Sequence, residues 1–279
     1  MFKIIEKNEL NPIEFEIFVE APRIAKKAQA GQFVILRIDD NGERIPLTVV
    51  DTCSKKGLVR LIFQVIGKST ADLAQLQVGD SLLDLVGPLG KATEIEKYGT
   101  VLLVGGGVGI AALFPIIKAL KEADNKVITI LGAKNKDLMI LATECEKYSD
   151  ELYLMTDDGS LGEKGLVTDA MKAIFAKEKI DTAWAIGPSM MMKFSTLTAN
   201  EAGIPIFVSL NPIMVDGTGM CGGCRVTIDN QIRFACVDGP EFLGASVDWD
   251  EFINRMQQYS NEEKVAANLL KGGMQNGKA

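Results

Sequence analysis

The chain, 279 residues long, contains no histidine. Histidine is the side chain whose ordinary pKa lies near neutrality, so Cys–His and Ser–His nucleophiles and imidazole-held metals are excluded together. Rieske-type clusters, which need two histidines, are excluded with them. Positive charge is also in short supply: 30 Lys and Arg face 37 Asp and Glu, a net charge of −7. That balance argues against a nucleic acid or an anionic membrane as partner. Long apolar runs are missing as well. The most apolar stretch, residues 101–117, carries four glycines and Pro115 and reads as strand, turn and helix, not as a membrane span. Residues 1–6 alternate like a strand and show no apolar leader, so a cytoplasmic location is expected. Five unevenly spread cysteines argue against a disulfide framework and for metal chemistry. With so few proton-transfer groups, redox chemistry by bound groups is the expectation.

The length and the 47% hydrophobic content allow two domains with sizeable cores. Residues 1–98 hold short alternating or β-branched runs separated by turn residues such as Asn41-Gly42 and Lys56-Gly57. A small antiparallel barrel with one helix over residues 70–76 is expected. Two segments stand out. Arg44, Pro46, Leu47 and Thr48 open a strand, and Gly67, Lys68, Ser69 and Thr70 join a strand to the helix. Backbone N–H groups, hydroxyls and a cation at a helix start suit a pyrophosphate. The arginine suits a second phosphate or a ring edge. Phe63 and Val65, on the strand leading into the turn, are counted with this site. A hairpin turn and an ordinary helix cap are the plain alternatives.

Residues 99–209 change rhythm to strand–helix alternation, the pattern of a parallel α/β sheet. A helix is expected over residues 138–148 and a last strand over 204–209. Gly105, Gly106, Gly107, Val108 and Gly109 link the first strand to the first helix, which allows close backbone approach of a nucleotide at the helix start. Asp157 and Asp158 follow the third strand at the ligand edge of such a sheet. Gly187, Pro188 and Met190 end the fourth strand.

Residues 210–245 carry the motif Asp216-x4-Cys221-x2-Cys224-x11-Cys236. A hairpin turning at Asp229-Asn230 returns Cys236 to the loop, and the interspersed glycines expose N–H groups toward bridging sulfides. The spacing is that of a plant-type [2Fe–2S] site with aspartate in place of the first cysteine. Zinc is the chemical competitor, since three thiolates and a carboxylate suit it, and a glycine-packed loop with free thiols is the plain alternative. Residues 246–279 are expected as a helical tail, with Phe252, Ile253, Met256 and Tyr259 at helical spacing and a second helix over 264–270.

The Arg44-x-Pro46-x-Thr48 strand and the later Gly67–Thr70 turn resemble the ferredoxin-reductase family of flavoproteins, which implies FAD. NADP-binding relatives place serine and arginine where this chain has Asp157 and Asp158, so NAD(H) is expected, and Gly187-Pro188 is placed near the nicotinamide by the same likeness. The order flavin barrel, nucleotide domain, cluster segment resembles the branch holding the electron-transfer subunit of dihydroorotate dehydrogenase, the small subunit of sulfide dehydrogenase and the small subunit of bifurcating NADH-dependent ferredoxin:NADP oxidoreductase. The dihydroorotate branch typically has four cysteines, and Asp216 fits the bifurcating one. That resemblance implies a large flavin and iron–sulfur partner subunit, with ferredoxin reached through it. The alternatives are the dihydroorotate subunit, a stand-alone reductase and a nucleotide-binding redox sensor without turnover.

Overall fold

The structure, a computed structural model, describes residues 1–263 and 265. The expected second tail helix, residues 264–270, falls almost wholly outside the described residues. The chain starts with β1 (Phe2–Asn11), β2 (Glu14–Glu20), α1 (Pro22–Lys27), β3 (Phe33–Arg37), β4 (Ile45–Thr48), β5 (Asp51–Cys53), β6 (Leu58–Gln64), α2 (Lys68–Gln75), β7 (Ser81–Leu82) and β8 (Asp84–Leu89). Among the described residues, the small antiparallel barrel expected from the sequence does not appear as one closed sheet. These strands form a five-stranded antiparallel sheet, β5-β6-β2-β1-β7, and a three-stranded one, β4-β3-β8. The chain passes between them at two corners. Val49 N–H bonds the Gln32 carbonyl while Val50 N–H bonds that of Arg60, so neighbouring residues serve different sheets. Leu83 N–H bonds the Arg37 carbonyl at the second corner. Pro46 lacks an N–H, which suits β4 to its place at a sheet edge.

The second half holds β9 (Thr100–Gly106), α3 (Gly109–Glu122), β10 (Lys126–Ala133), α4 (Ala142–Glu146), β11 (Glu151–Thr156), β12 (Glu163–Lys164), α5 (Val167–Phe175), β13 (Thr182–Ile186), α6 (Ser189–Glu201) and β14 (Ile206–Ser209). Then come β15 (Arg225–Ile228), β16 (Gln231–Phe234), α7 (Ala235–Asp238), β17 (Glu241–Leu243) and α8 (Trp249–Met256). The large sheet runs β12-β11-β10-β9-β13-β14-β17. It is parallel except for β17, which pairs antiparallel with β14, so the sheet is mixed. The helix expected over 138–148 shrinks to a short 3-10 turn and α4, because Leu141 takes a left-handed φ of 55° that no regular helix accommodates.

Strand alternation divides the core. Val101 and Leu103 of β9 face α3 and meet Val50 and Ile62 from the five-stranded sheet. Leu102 and Val104 face the other way, toward Met171 and Ile174 of α5, Met192 of α6, Cys224 and Cys236, and Trp249 and Phe252 of α8. Phe33 and Ile35 of β3 join this second cluster. The cysteine segment is therefore packed against both the nucleotide sheet and the three-stranded sheet. Across the first face, Arg60 of β6 ties the halves together, donating to Glu16 Oε1 (2.5 Å) and to both Glu144 oxygens of α4 (2.7 and 3.0 Å).

Candidate functional site

β9 lies between β10 and β13, so the chain leaves it to one side and later returns on the other. Ligands of open α/β sheets bind at such a switch, outside the carboxyl ends of the strands. Gly105 to Gly109 stand there, with Gly107 at φ 53° and open space where a Cβ would lie. Gly109 has no such room: a Cβ would come within 2.6 Å of Gly187 Cα and the Ile186 carbonyl. The start of α3 thus abuts the Gly187-Pro188 turn, and Met190 is half-exposed beside it. The two aspartates after β11 differ. Asp158 Oδ1 accepts from Ser160 N–H (2.9 Å) and Oγ (2.6 Å), which closes the turn and holds the carboxyl below its ordinary range. Asp157 is exposed and, among the described residues, has no side-chain partner.

On the flavin-like half, the Arg44 strand and the Gly67 turn are brought together, since Ser69 Oγ hydrogen-bonds the Glu43 carboxylate. Asp84 of β8 receives both Arg37 Nε (3.2 Å) and Arg44 Nη2 (3.4 Å). Thr70 Oγ1 accepts from Ile66 and Gly67 N–H (3.0 and 3.2 Å), so it shapes the turn. The N–H groups of Lys68 and Ser69, in the first turn of α2, have no intrahelical partner by construction. A Cβ on Gly67 would meet nothing within 4 Å, so the turn is open to an incoming group. Lys68 is paired with Asp72. Phe63 lies in the interior, stacked on Phe15, and Val65 is half-buried at the same core.

The cysteine loop follows β14. Asp216 accepts from three backbone donors: Thr218 N–H to Oδ1 (3.0 Å), and Met220 and Cys221 N–H to Oδ2 (2.9 Å each). Those bonds, the Thr218 one foremost, hold its carboxyl below the usual range. Ala235 N–H bonds the Cys224 carbonyl at 3.1 Å, so the hairpin returns Cys236 to the cysteine loop. Among the described residues, no three His, Cys, Asp or Glu side chains stand close enough to hold one metal ion. Burial, with the neighbouring Cys224, pushes the Cys236 thiol up to about 12, so metal loading there displaces a proton. Gly217, at φ 74°, lies against the three-stranded sheet, where a Cβ would come within 2.8 Å of Ile35 and 2.7 Å of Leu89. Val215, Met220 and Val237 are exposed, as is Cys221. Cys53 and Cys145 stand apart from this loop.

Sequence reasoning missed Asp84, Glu43, Arg225, Arg255 and Glu241. Glu241 of β17 accepts from Thr93 Oγ1 (3.0 Å), on the segment joining the halves, and burial holds its carboxyl above the ordinary range. None of these belongs to a local motif.

Residues 103–196 match the oxidoreductase NAD-binding domain, and residues 211–248 match the iron–sulfur cluster binding domain of dihydroorotate dehydrogenase B. Fold and site together define an oxidoreductase of the ferredoxin-reductase-like class. Its similarity to the Amycolatopsis cytochrome P450 reductase (19% identity over 72% of this chain and 65% of that one, TM-score 0.60) is one of fold. The chain is 56% identical over 264 residues to the Thermotoga maritima "dihydroorotate dehydrogenase B (NAD(+)), electron transfer subunit homolog", covering 95% of this chain and 93% of the relative. It is 33% identical over 255 residues to the electron transfer subunit of Streptococcus pneumoniae, covering 88% and 99%. A solved structure of NADH-dependent reduced ferredoxin-NADP oxidoreductase, described for flavin-based electron bifurcation, contains a chain 54% identical to this one. It covers 97% of this chain and 98% of that one at a TM-score of 0.92. The protein belongs to the family of dihydroorotate dehydrogenase B electron transfer subunits and their homologues.

Proposed function

We propose that this chain is the electron-transfer subunit of a two-subunit oxidoreductase. It passes electrons between NAD(H) and a large flavin and iron–sulfur partner, within a bifurcating NADH- and ferredoxin-linked enzyme. The observation that carries the reading is a loop packed on the flavin-like sheet, in which Met220 and Cys221 N–H hold the Asp216 carboxylate and the β15–β16 hairpin returns Cys236 to Cys224. Three thiolates and a carboxylate at this spacing suit a [2Fe–2S] cluster. When bound, FAD supplies the exchange between two-electron hydride and one-electron transfer, and the [2Fe–2S] cluster accepts single electrons.

The chain's own residues then divide the work. Arg44 to Thr48 and Gly67 to Thr70 hold the flavin nucleotide at the open turn of α2. The Gly105–Gly109 turn receives the NAD pyrophosphate at the start of α3. Gly187, Pro188 and Met190 line the crevice beside it. Gly217 lets the cysteine loop pack closely on Ile35 and Leu89 of the flavin-like half. Exposed Val215, Met220 and Val237, on the cysteine segment, offer the partner apolar surface. Asp216 supports the bifurcating reading over the dihydroorotate one, and its hard oxygen sets this cluster apart from an all-thiolate one.

The test is anaerobic addition of NADH to purified protein with iron, acid-labile sulfide and flavin quantified. Rapid bleaching of the flavin followed by the spectrum of a reduced [2Fe–2S] cluster is expected. A colourless protein with stoichiometric zinc would refute the reading, and a flavin that NADH does not bleach would support a sensor role instead. Asp157→Ser should raise the KM for NADH roughly 10- to 100-fold, the loss of a charged hydrogen bond to the ribose. The maximal rate of flavin reduction should stay near the parent's. Asp158→Ser, which loosens the turn only, should do less. An unchanged KM in Asp157→Ser would remove that residue from the site.

A further inference from the structure

Two guanidinium groups close on the loop between Cys221 and Cys224. Arg225, the first residue of β15, donates from Nη1 to the Gly222 carbonyl at 3.1 Å. Arg255, in the last turn of α8, donates from Nη2 to the Gly223 carbonyl at 3.2 Å. Arg225 is exposed and Arg255 half-buried. Among the described residues neither has an ion-pair partner, so their charge is not neutralised locally.

The peptide units they touch continue to the sulfurs. The Gly222 carbonyl shares its peptide with the Gly223 N–H, which donates to Cys221 Sγ at 3.4 Å. The Gly223 carbonyl shares its peptide with the N–H of Cys224 itself. A cation on a carbonyl oxygen polarises the peptide and makes its N–H a better donor. Arg225, one peptide and Cys221 Sγ thus form a continuous chain. Arg255 is placed by an element with its own anchorage: Trp249 and Phe252 are buried, Trp249 Nε1 donates to the Gly244 carbonyl (3.1 Å), and Asp248 caps the helix through Glu251 N–H (2.9 Å).

We infer that Arg225 and Arg255 set the reduction potential of the cluster, making it a better electron acceptor. This rests on the [2Fe–2S] reading above. Reduction adds one electron and one negative charge while no bond breaks. Fixed positive charge and N–H donation to sulfur both favour the reduced state. The role assigned to α8 is therefore electrostatic as well as structural. Both arginines are positioning residues, acting on the cluster through the loop peptides and through space.

Redox titration of the full chain, with the reduced cluster followed by electron paramagnetic resonance and the flavin by absorbance, tests this. Arg225→Gln and Arg255→Gln should each keep the parent's iron and sulfide content. Each should shift the one-electron equilibrium against reduction by roughly tenfold, for a unit charge lost nearby in a partly wet site. That equals about 59 mV toward lower potential. Arg255→Lys, which retains the charge, should stay near the parent, and the flavin should not move. Iron-replete Gln variants with the parent's cluster potential would overturn the inference. So would equal shifts in Arg255→Gln and Arg255→Lys, since shape and not charge would then be responsible. If Arg255→Gln fails to hold iron, the exposed Arg225→Gln decides alone. A parent without any [2Fe–2S] signal would count against the proposed function, whereas a parent cluster with unmoved variants counts against this inference only.

Discussion

Cys236→Ser should empty the cluster site while leaving the NADH–flavin half working. Cys236 is 1% exposed and is held at the start of α7, next to Ala235, whose N–H bonds the Cys224 carbonyl. Its thiol supplies one of the four donors of the motif. Serine is shorter and binds iron weakly as a neutral hydroxyl, so iron content should fall toward zero. Transfer to one-electron acceptors should fall at least about a hundredfold, beyond what losing a merely supporting contact costs a metal site. Bleaching of the flavin by NADH should stay within about twofold, because Gly105 to Gly109 follow the central strand β9 and Asp157 follows β11, whereas the cysteine loop follows β14. Cys145→Ser is the control. Cys145 is fully buried against α3, and burial pushes its thiol up to about 12, so it should change stability and not iron. Full iron content in Cys236→Ser would place the fourth donor elsewhere.

Arg60→Met should give the largest loss of stability. The Arg60 side chain is 11% exposed, and it bridges Glu16, 7% exposed on the flavin-like sheet, to Glu144 on the nucleotide half. It also stands over the Phe114 ring of α3, 6.0 Å from its centre. Removing one member of a buried pair strands the other charge, at a cost of about 3–5 kcal/mol. For a chain of this size that corresponds to a fall in melting temperature of roughly 10 °C. Asn8 still donates to Glu16 at 2.7 Å, which places the effect toward the lower end. Hydride transfer should slow along with it, since the two halves that carry its partners lose the bond fixing their angle. Adding Glu16→Leu should restore much of the stability, because an apolar pair replaces the stranded acid. If Arg60→Met melts with the parent, the bridge is ornamental and the apolar contact of Val50 and Ile62 with α3 holds the halves alone.

Much of this was legible in the sequence where the signal was local. The change from alternating strands to strand–helix units marks where β9 begins, and the hairpin turns at Asp229 and Asn230, both at positive φ. The hairpin returns Cys236 to the cysteine loop, where Ala235 N–H bonds the Cys224 carbonyl, although among the described residues no three donors of the motif stand within reach of one ion. What escaped depended on distant partners. The division into two sheets turns on Val49 and Val50 bonding to different strands, which no local pattern encodes. β17 is three residues long and gains its identity from β14, far earlier in the chain. Leu141 looked like the middle of a helix because apolar spacing carries no information about a single left-handed residue. Asp157 and Asp158 are adjacent and alike in sequence, and only the bonds to Ser160 separate their roles. Arg225 and Arg255 lie thirty residues apart and converge through a tertiary contact alone.

The antiparallel strand β17 has a bearing on how the protein matures. It returns the chain to β14, so that residues 210–240 form a loop closed at its base by sheet hydrogen bonds. Joining the ends of a segment that long costs an unfolded chain roughly 3 kcal/mol. Here the β14–β17 pairing, in which no cluster donor takes part, offsets that cost. The loop's ends are therefore expected to be fixed by the sheet and not by the cluster. Chelated protein should keep the fold of the large sheet and accept iron and sulfide again without passing through an unfolded state.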